Sequence, residues 1–556
     1  MHIQTCPNDR RFYLRIACRL VSSRPHRIAV ITALVVVAAV AIPAALAVTS
    51  TSAPETAQAL PSREQRQIRV LTAALAKMAR DYRLLAPHSP GVADIDDYGI
   101  GTLWRQGIDG AGTTIAVIEG WNDPSITTVV RRFDAALGLP NPTITTIYPA
   151  GQLPAACPEG MVKLGSYGSC AAWQGELELD VLSAHLIAPY ARILISVTPA
   201  DTQVQDDAAS QVAPPEMMEA VEDIATHHLA NVISISDGTG ESTYRYGAAE
   251  IEAQDPGELT AAADGIPVLV ATGDCGVVQN LAVANAQCED TTTVPSTAAW
   301  DDSPWVTAVG GSVPDLSNDG RRLGPDRLWD VGGIFSGGAG FSAVFPRPAY
   351  QDRVNSRPMR EVPDLTMDAT DGTSEAAPLL AGVLALATQL NHHANVGPIN
   401  PALYLALGPH WAKDGIIDVV SGDDSVIRQH TVLVKGYAAG RGFDVASGWG
   451  TVYAPAFVPS LVKAVSLDLQ ARAQARAQLS ALEQDSITLT RTTAGGYYLR
   501  AAGFLPAHPV RLLLDGTLVT ILTAADDGDV TGVVTAKPGE RITLASMLIT
   551  ETEVVR

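Results

Sequence analysis

Asp371-Gly372-Thr373-Ser374-Glu375-Ala376-Ala377-Pro378 runs without a break into the apolar segment Leu379 to Leu390, and the rest of the chain is organised around it. Gly372 permits a backbone angle that a bulkier residue would resist. Ser374 then falls in the first turn of a long helix, where unpaired N–H groups and the positive end of the helix dipole favour developing negative charge. Pro378 is expected within that same first turn, where a backbone N–H has no intrahelical acceptor to lose. A hydroxyl so placed can serve as the nucleophile in acyl transfer. Ser is also among the commonest helix N-caps, and the stretch alone does not choose between the two roles.

At 556 residues the chain exceeds a usual single domain, so one large domain with smaller attachments is expected. A hydrophobic fraction of 47% with 17% charged residues is globular composition and excludes wholesale disorder. The net charge of −21 and a pI near 4.9 argue against nucleic acid as a partner. They suit a protein that stays soluble where carboxylates begin to protonate.

Residues 1–59 read as a signal peptide or an N-terminal membrane anchor. Arg10, Arg11, Arg15, Arg19, Arg24 and Arg27 precede the uncharged run Ile28 to Val48, and small residues follow it. The run is long enough to span a bilayer, so a cleaved signal and a retained transmembrane anchor both stay open. Either order of charge and apolarity points to a secreted or cell-surface protein. Of the six cysteines, Cys6 and Cys18 lie before the apolar run. Cys157 with Cys170 and Cys275 with Cys288 form two local pairs of equal separation, read as disulfides of an oxidising compartment. Zinc is the rival, but no Cys-x-x-Cys spacing occurs.

Residues 60–96 read as a short helical pro-segment or linker, with Ile68, Leu71, Leu75, Met78 and Tyr82 on one helical stripe. Thr114 to Ile118, Asn231 to Ser236 and Ile266 to Thr272 are continuous apolar runs, the last two following helical segments. That alternation predicts an α/β domain with a parallel sheet flanked by helices over residues 97–463. An Ala-, Gln- and Arg-rich stretch follows, read as a linker helix within 464–485. From Ser486 to the end, short alternating runs separated by turns such as Asp515-Gly516 predict a small all-β, sandwich-like accessory module, 486–556.

If Ser374 is a nucleophile, a base must reach it. The subtilisin-like arrangement joins Gly-Thr-Ser-x-x-x-Pro to a His-Gly-Thr helix start, and no His-Gly-Thr occurs. His227-His228 and His392-His393 lie near helix ends, and His185 reads as a packed residue rather than a base. The chain offers Gly175-Glu176-Leu177-Glu178-Leu179-Asp180 instead, in which Glu176 and Asp180 share a helix face. Two surface carboxylates at that spacing are ordinary. Asp274, in Gly273-Asp274-Cys275-Gly276, lies just past a buried strand, where ligand sites of open α/β sheets collect.

With these residues in hand, the sequence resembles the sedolisins, the serine-carboxyl peptidases. Ser374, Glu176, Asp180 and Asp274 match the family's Gly-Thr-Ser nucleophile, Glu-x-x-x-Asp pair and Gly-Asp-x-Gly turn, in chain order, within a likeness over about residues 97 to 462. Val306 to Gly311, Gly337 to Ser342, Phe345-Pro346 and Val362-Pro363-Asp364 resemble further family signatures. The resemblance implies a subtilisin-like fold and an acid-active endopeptidase. It makes Glu176 the base for Ser374, Asp180 the partner sharing a proton with Glu176, and Asp274 a neutral acid that stabilises the oxyanion. It also implies one structural Ca2+ on the side chains of Asp418 and Asp444 and the carbonyls of Val419, Gly440 and Gly442. Two carboxylates and peptide carbonyls form the hard oxygen shell that calcium prefers. Protein or peptide substrates and a monomer are expected. Two other readings remain: a subtilisin-like peptidase with an unrecognised His, and a non-catalytic binding protein on a degenerate scaffold. The short segment before residue 97 departs from the family's long prodomain. Gly337 to Gly340 is open between a substrate-binding extended strand and a flexible loop.

Overall fold

The computed structural model describes residues 98–556 apart from 154–156, 158–168, 199–214, 281–287, 289–290, 316–321, 429–431, 485–486 and 494. The apolar run 28–48, the stripe at 68–82, Cys6 and Cys18 lie outside the described residues. Among those described, no helix is long and apolar enough to cross a membrane.

Seven parallel strands form the central sheet. They are β1 (Thr114–Glu119), β2 (Ile144–Ile147), β3 (Arg192–Val197), β4 (Val232–Ile235), β5 (Val268–Ala271), β6 (Thr307–Val313) and β7 (Leu365–Asp368). Their order is β7-β6-β5-β4-β1-β3-β2, with Arg327–Leu328 antiparallel on β6. The runs are apolar throughout because both faces are covered. Along β1, Ile115 and Val117 join one core while Ala116 and Ile118 join the other; Leu269 and Val270 of β5 divide the same way.

Described helices of ten or more residues are α1 (Ile126–Leu137), α2 (Cys170–Ile187), α3 (Glu216–Thr226), α4 (Asp255–Asp264), α5 (Thr373–Leu390), α6 (Ala454–Ala464) and α7 (Asp468–Gln484). Apolar residues of α1, α2, α5 and α6 fill one core, and those of α3 and α4 fill the other. Helix α5, the opening stretch, is buried along nearly its whole length and packs on α2, α6 and five sheet strands, β1, β4, β5, β6 and β7. The expected subtilisin-like α/β architecture is therefore observed.

One detail differs from expectation. The helix begins at Thr373, so Pro378 is its sixth residue and lies inside the helix rather than in its first turn. A proline there withholds the N–H that would bond the carbonyl four residues back, which belongs to Ser374.

The stretch read as a linker helix does not bridge solvent. Ala475 of α7 packs with Leu259, Ala262 and Ala263 of α4, and Arg476 donates to the Ala263 carbonyl at 2.6 Å. Beyond it, an antiparallel three-stranded sheet (Thr488–Arg491, Tyr497–Ala501, Val530–Val534) and a four-stranded one share a separate core around Leu499, Phe504 and Leu512. The turn before the last strand sends Leu548 into the core between the sheet and α3. The β module is thus docked on the α/β domain.

Candidate active site

Ser374 is the second residue of α5, half-exposed, and Gly372 caps the helix at φ 98° without a side-chain hydrogen bond. The capping alternative for Ser374 is thereby removed, since no serine hydroxyl fills that role. A Cβ on Gly372 would approach Asp274 Oδ2 to 2.7 Å, so glycine is required both for the turn and for the neighbour.

Glu176 comes from α2, whose Leu177, Val181 and Ala184 are buried in the core shared with α5. Packing along that stripe turns the next face, with Glu176 and Asp180, toward the start of α5. The Ser374 side chain lies beside the Glu176 carboxyl, near enough to lower its proton affinity. Burial raises Glu176 above the ordinary glutamate range, the serine draws it back, and the Asp274 and Asp237 charges raise it again.

Asp180 is fully buried, and its Oδ2 accepts from Ser236 Oγ at 2.8 Å. The same hydroxyl lies 3.4 Å from the Ser374 carbonyl, the group that Pro378 leaves without its helical donor. Ser236 therefore ties the nucleophile's backbone to the carboxyl row. Beyond Asp180 lies Glu119, the last residue of β1, fully buried and in carboxyl–carboxyl contact with Asp180. Burial first, then the neighbouring acids, push Glu119 well up, and burial followed by Glu176 does the same to Asp180. Such a contact requires a proton between the two groups. Glu176 has Ser374 beside it and Asp180 has Ser236, whereas neither oxygen of Glu119 has a hydroxyl donor.

Asp274 sits three residues beyond β5, and its Oδ1 accepts from Thr373 N and Thr373 Oγ1, each at 2.8 Å. Burial raises Asp274 while these two donors lower it. The 336–338 backbone holds the turn. Ser336 N donates to the Asp274 carbonyl and Gly338 N to the Gly273 carbonyl, both at 2.9 Å. A Cβ on Gly338 would lie 1.9 Å from the Thr272 carbonyl, so this glycine run is packed against the turn and is not a free loop. The disulfides Cys157–Cys170 and Cys275–Cys288 form as expected. One staples the start of α2 and the other begins at the residue after Asp274.

All four residues singled out for catalysis thus meet at the carboxyl end of the sheet. The sequence reading missed Glu119, Ser236 and Asp237. Their signal was an acidic or hydroxyl residue at the carboxyl end of a buried strand. His185 is buried against Asp134 at 2.8 Å and remote from this chemistry, while His227 caps α3 and His392 follows α5.

Asp418 and Asp444 meet across one loop. Gly442 N donates to Asp418 Oδ2 at 2.9 Å and Gly440 N to Asp444 Oδ2 at 2.7 Å. Asp444 Oδ1 accepts from Ala446 N, Ser447 N and Ser447 Oγ. Among the described residues no group of three or more His, Cys, Asp and Glu side chains is arranged for a metal, so any cation here would draw most of its shell from carbonyls. Burial raises both acids, the response a cation would reverse. The pair fits a hard cation in donor type.

The subtilase family pattern matches residues 183–417. Kumamolisin of Bacillus sp. strain MN-32 is 29% identical over 379 residues, covering 62% of this chain and 59% of that protein. Human tripeptidyl-peptidase 1 is 27% identical over 267 residues, covering 42% and 44% respectively. The chain thus spans less than two thirds of the length of these relatives. Among solved structures, a Pseudomonas sedolisin (serine-carboxyl proteinase) complexed with pseudo-iodotyrostatin shares the fold at a TM-score of 0.52 and 24% identity, covering 64% of this chain and 94% of that one.

Proposed function

We propose that the chain is a serine-carboxyl peptidase of the sedolisin kind, an exported, acid-active endopeptidase that cleaves protein or peptide substrates through an acyl-enzyme on Ser374. The reading is supported by its likeness to kumamolisin, tripeptidyl-peptidase 1 and a Pseudomonas sedolisin. The observation that carries this reading is the convergence at the amino end of α5, where Ser374 lies beside Glu176 and the adjoining Thr373 holds Asp274.

In the proposed cycle the Ser374 oxygen attacks the scissile carbonyl while its proton passes to ionised Glu176. Burial raises Glu176 to about 7, so in acid the base is the ionised fraction that the Ser374 hydroxyl beside it favours. Asp180, holding its proton, donates to Glu176 and steadies the charge. Asp274, neutral, donates to the oxyanion, and the first N–H groups of α5 favour the same charge. Glu176 then protonates the leaving amine. Water attacks the ester, gives its proton to Glu176, and Ser374 leaves with that proton restored. Asp418 and Asp444, with the carbonyls of Val419, Gly440 and Gly442, would hold a calcium ion that fixes the 418–444 segment and takes no part in the chemistry. Export is inferred from the basic-then-apolar order of residues 10–48 and the two disulfides.

Wild type and Ser374→Ala are assayed on a denatured protein from pH 3 to 8. Activity confined to the acid half and reduced by about a thousandfold or more in the variant is expected. Full activity in Ser374→Ala would refute the assignment.

A further inference from the structure

A second group of buried acids is not used by the catalytic reading. Glu258 of α4, Asp301 and Asp302 of the turn before β6, Glu241 of the 3-10 turn after β4, and Asp364 before β7 are each no more than 5% exposed. One cation, Arg360, is buried among them, and it is already matched. Its two terminal nitrogens donate to Asp364 at 2.8 and 2.6 Å. Tyr404, Asn400 and the Ala308 amide complete the Asp364 shell.

The other four acids differ in their donors. Glu241 accepts from Ser342 Oγ at 2.6 Å, from Ala343 N at 2.7 Å, and from Val344 N and Thr297 Oγ1. Asp302 Oδ2 accepts from Thr297 Oγ1 at 3.1 Å, the Ser342 hydroxyl lies alongside, and Oδ1 is buried without a partner of full geometry. Its carboxyl also meets that of Glu241. Neither oxygen of Asp301 or Glu258 has a well-formed partner, although the Ala298 amide and the Ser303 hydroxyl lie alongside. Asp255 faces Glu258 on α4, and Tyr244 faces Asp302. Burying an ionised carboxyl without donors or a cation is far costlier than burying a neutral one.

We propose that Asp301, Asp302 and Glu258 form a proton-loaded latch, carried as neutral acids in the folded domain, whose ionisation toward neutral pH releases α4 from the 298–306 turn and inactivates the protein. Burial, followed by the neighbouring acids, holds all three well above their ordinary range. For acids raised on folding, the native state binds more protons than the unfolded chain. Their stabilising effect is complete below about pH 4, the ordinary carboxyl range, and is lost as pH climbs through the raised values. Asp302 and Glu241 share one proton across their contact, which gives the latch its link to the 342–344 strand. The inference does not depend on the role assigned to Ser374.

Asp302→Asn tests it, because an amide N–H stands permanently where the shared proton would be. Melting temperatures are recorded from pH 3.5 to 7.5 for wild type, Asp302→Asn and Glu258→Gln. Wild type is expected to lose stability steadily above pH 4. Asp302→Asn should match it in acid and melt higher at pH 7, and Glu258→Gln should show a shallower slope. Curves parallel to wild type in both variants would overturn the proposal. If Glu258→Gln does not fold, protons released on denaturing wild type at pH 5.5 in weakly buffered solution decide. Because Glu119 and Asp180 are raised as well, the difference is read: Asp302→Asn denatured alongside should release about one proton fewer per molecule, and equal release would refute the latch.

Discussion

Asp444 accepts four hydrogen bonds from its own loop, whereas Asp180, more deeply buried, accepts one, from Ser236, and meets a second carboxyl on its other side. The contrast separates two uses of a buried acid. Donors from a glycine-rich loop fix a negative charge in place and invite a cation. A row short of donors can satisfy itself only with protons, and protons held that way can be moved. The Ser374–Glu176–Asp180–Glu119 row is of the second kind, which is what proton transfer to and from a serine requires.

The contrast is broken most directly at Glu176. Glu176→Gln keeps the shape but cannot take the serine proton, and kcat is expected to fall about a thousandfold; near-normal turnover would move the base elsewhere. Next is Asp274→Ala, which removes one oxyanion donor and should lower kcat by roughly a hundredfold to a thousandfold. Asp274→Asn keeps a donor and should lose less. Because Asp274 is raised and must stay protonated, activity should decline as pH passes its elevated value; the Asn variant cannot ionise, so its alkaline limb in kcat/KM should shift upward. An unchanged limb would assign that titration to another group.

The donor-rich acid predicts a loss of stability, not of chemistry. Asp444→Ala strands four donors and should cost about 2 kcal/mol or more in denaturant unfolding, with kcat/KM at low temperature little changed. Calcium should raise the melting temperature of wild type and not of this variant. Equal shifts in both would place the ion elsewhere. The smallest effect is expected for Ser236→Ala. It frees Asp180 and the Ser374 carbonyl together and should reduce kcat roughly five- to tenfold with KM nearly constant, as a lost positioning contact of about 1 kcal/mol does.

Much of this was legible in the chain. Apolar runs bounded by turn residues gave the buried strands, and Gly372-Thr373-Ser374 ahead of the largely apolar stretch Leu379 to Leu390 gave the central helix, because local sterics and hydrophobic period determine both. The Glu176–Asp180 face followed from helix geometry alone, and the two cysteine pairs from their local spacing. Tertiary structure alone decided the remainder. Glu119 and Ser236 reach Asp180 from 61 and 56 residues away, and no local pattern marks a carboxyl that will meet another carboxyl. Pro378 reads as a helix-start residue until the register of α5 places it opposite the Ser374 carbonyl, beside which the Ser236 hydroxyl, just past β4, lies at 3.4 Å. Burial itself is a property of the packed whole. The same aspartate is an anchored charge where a loop supplies donors and a proton carrier where none is at hand, and only the fold determines which.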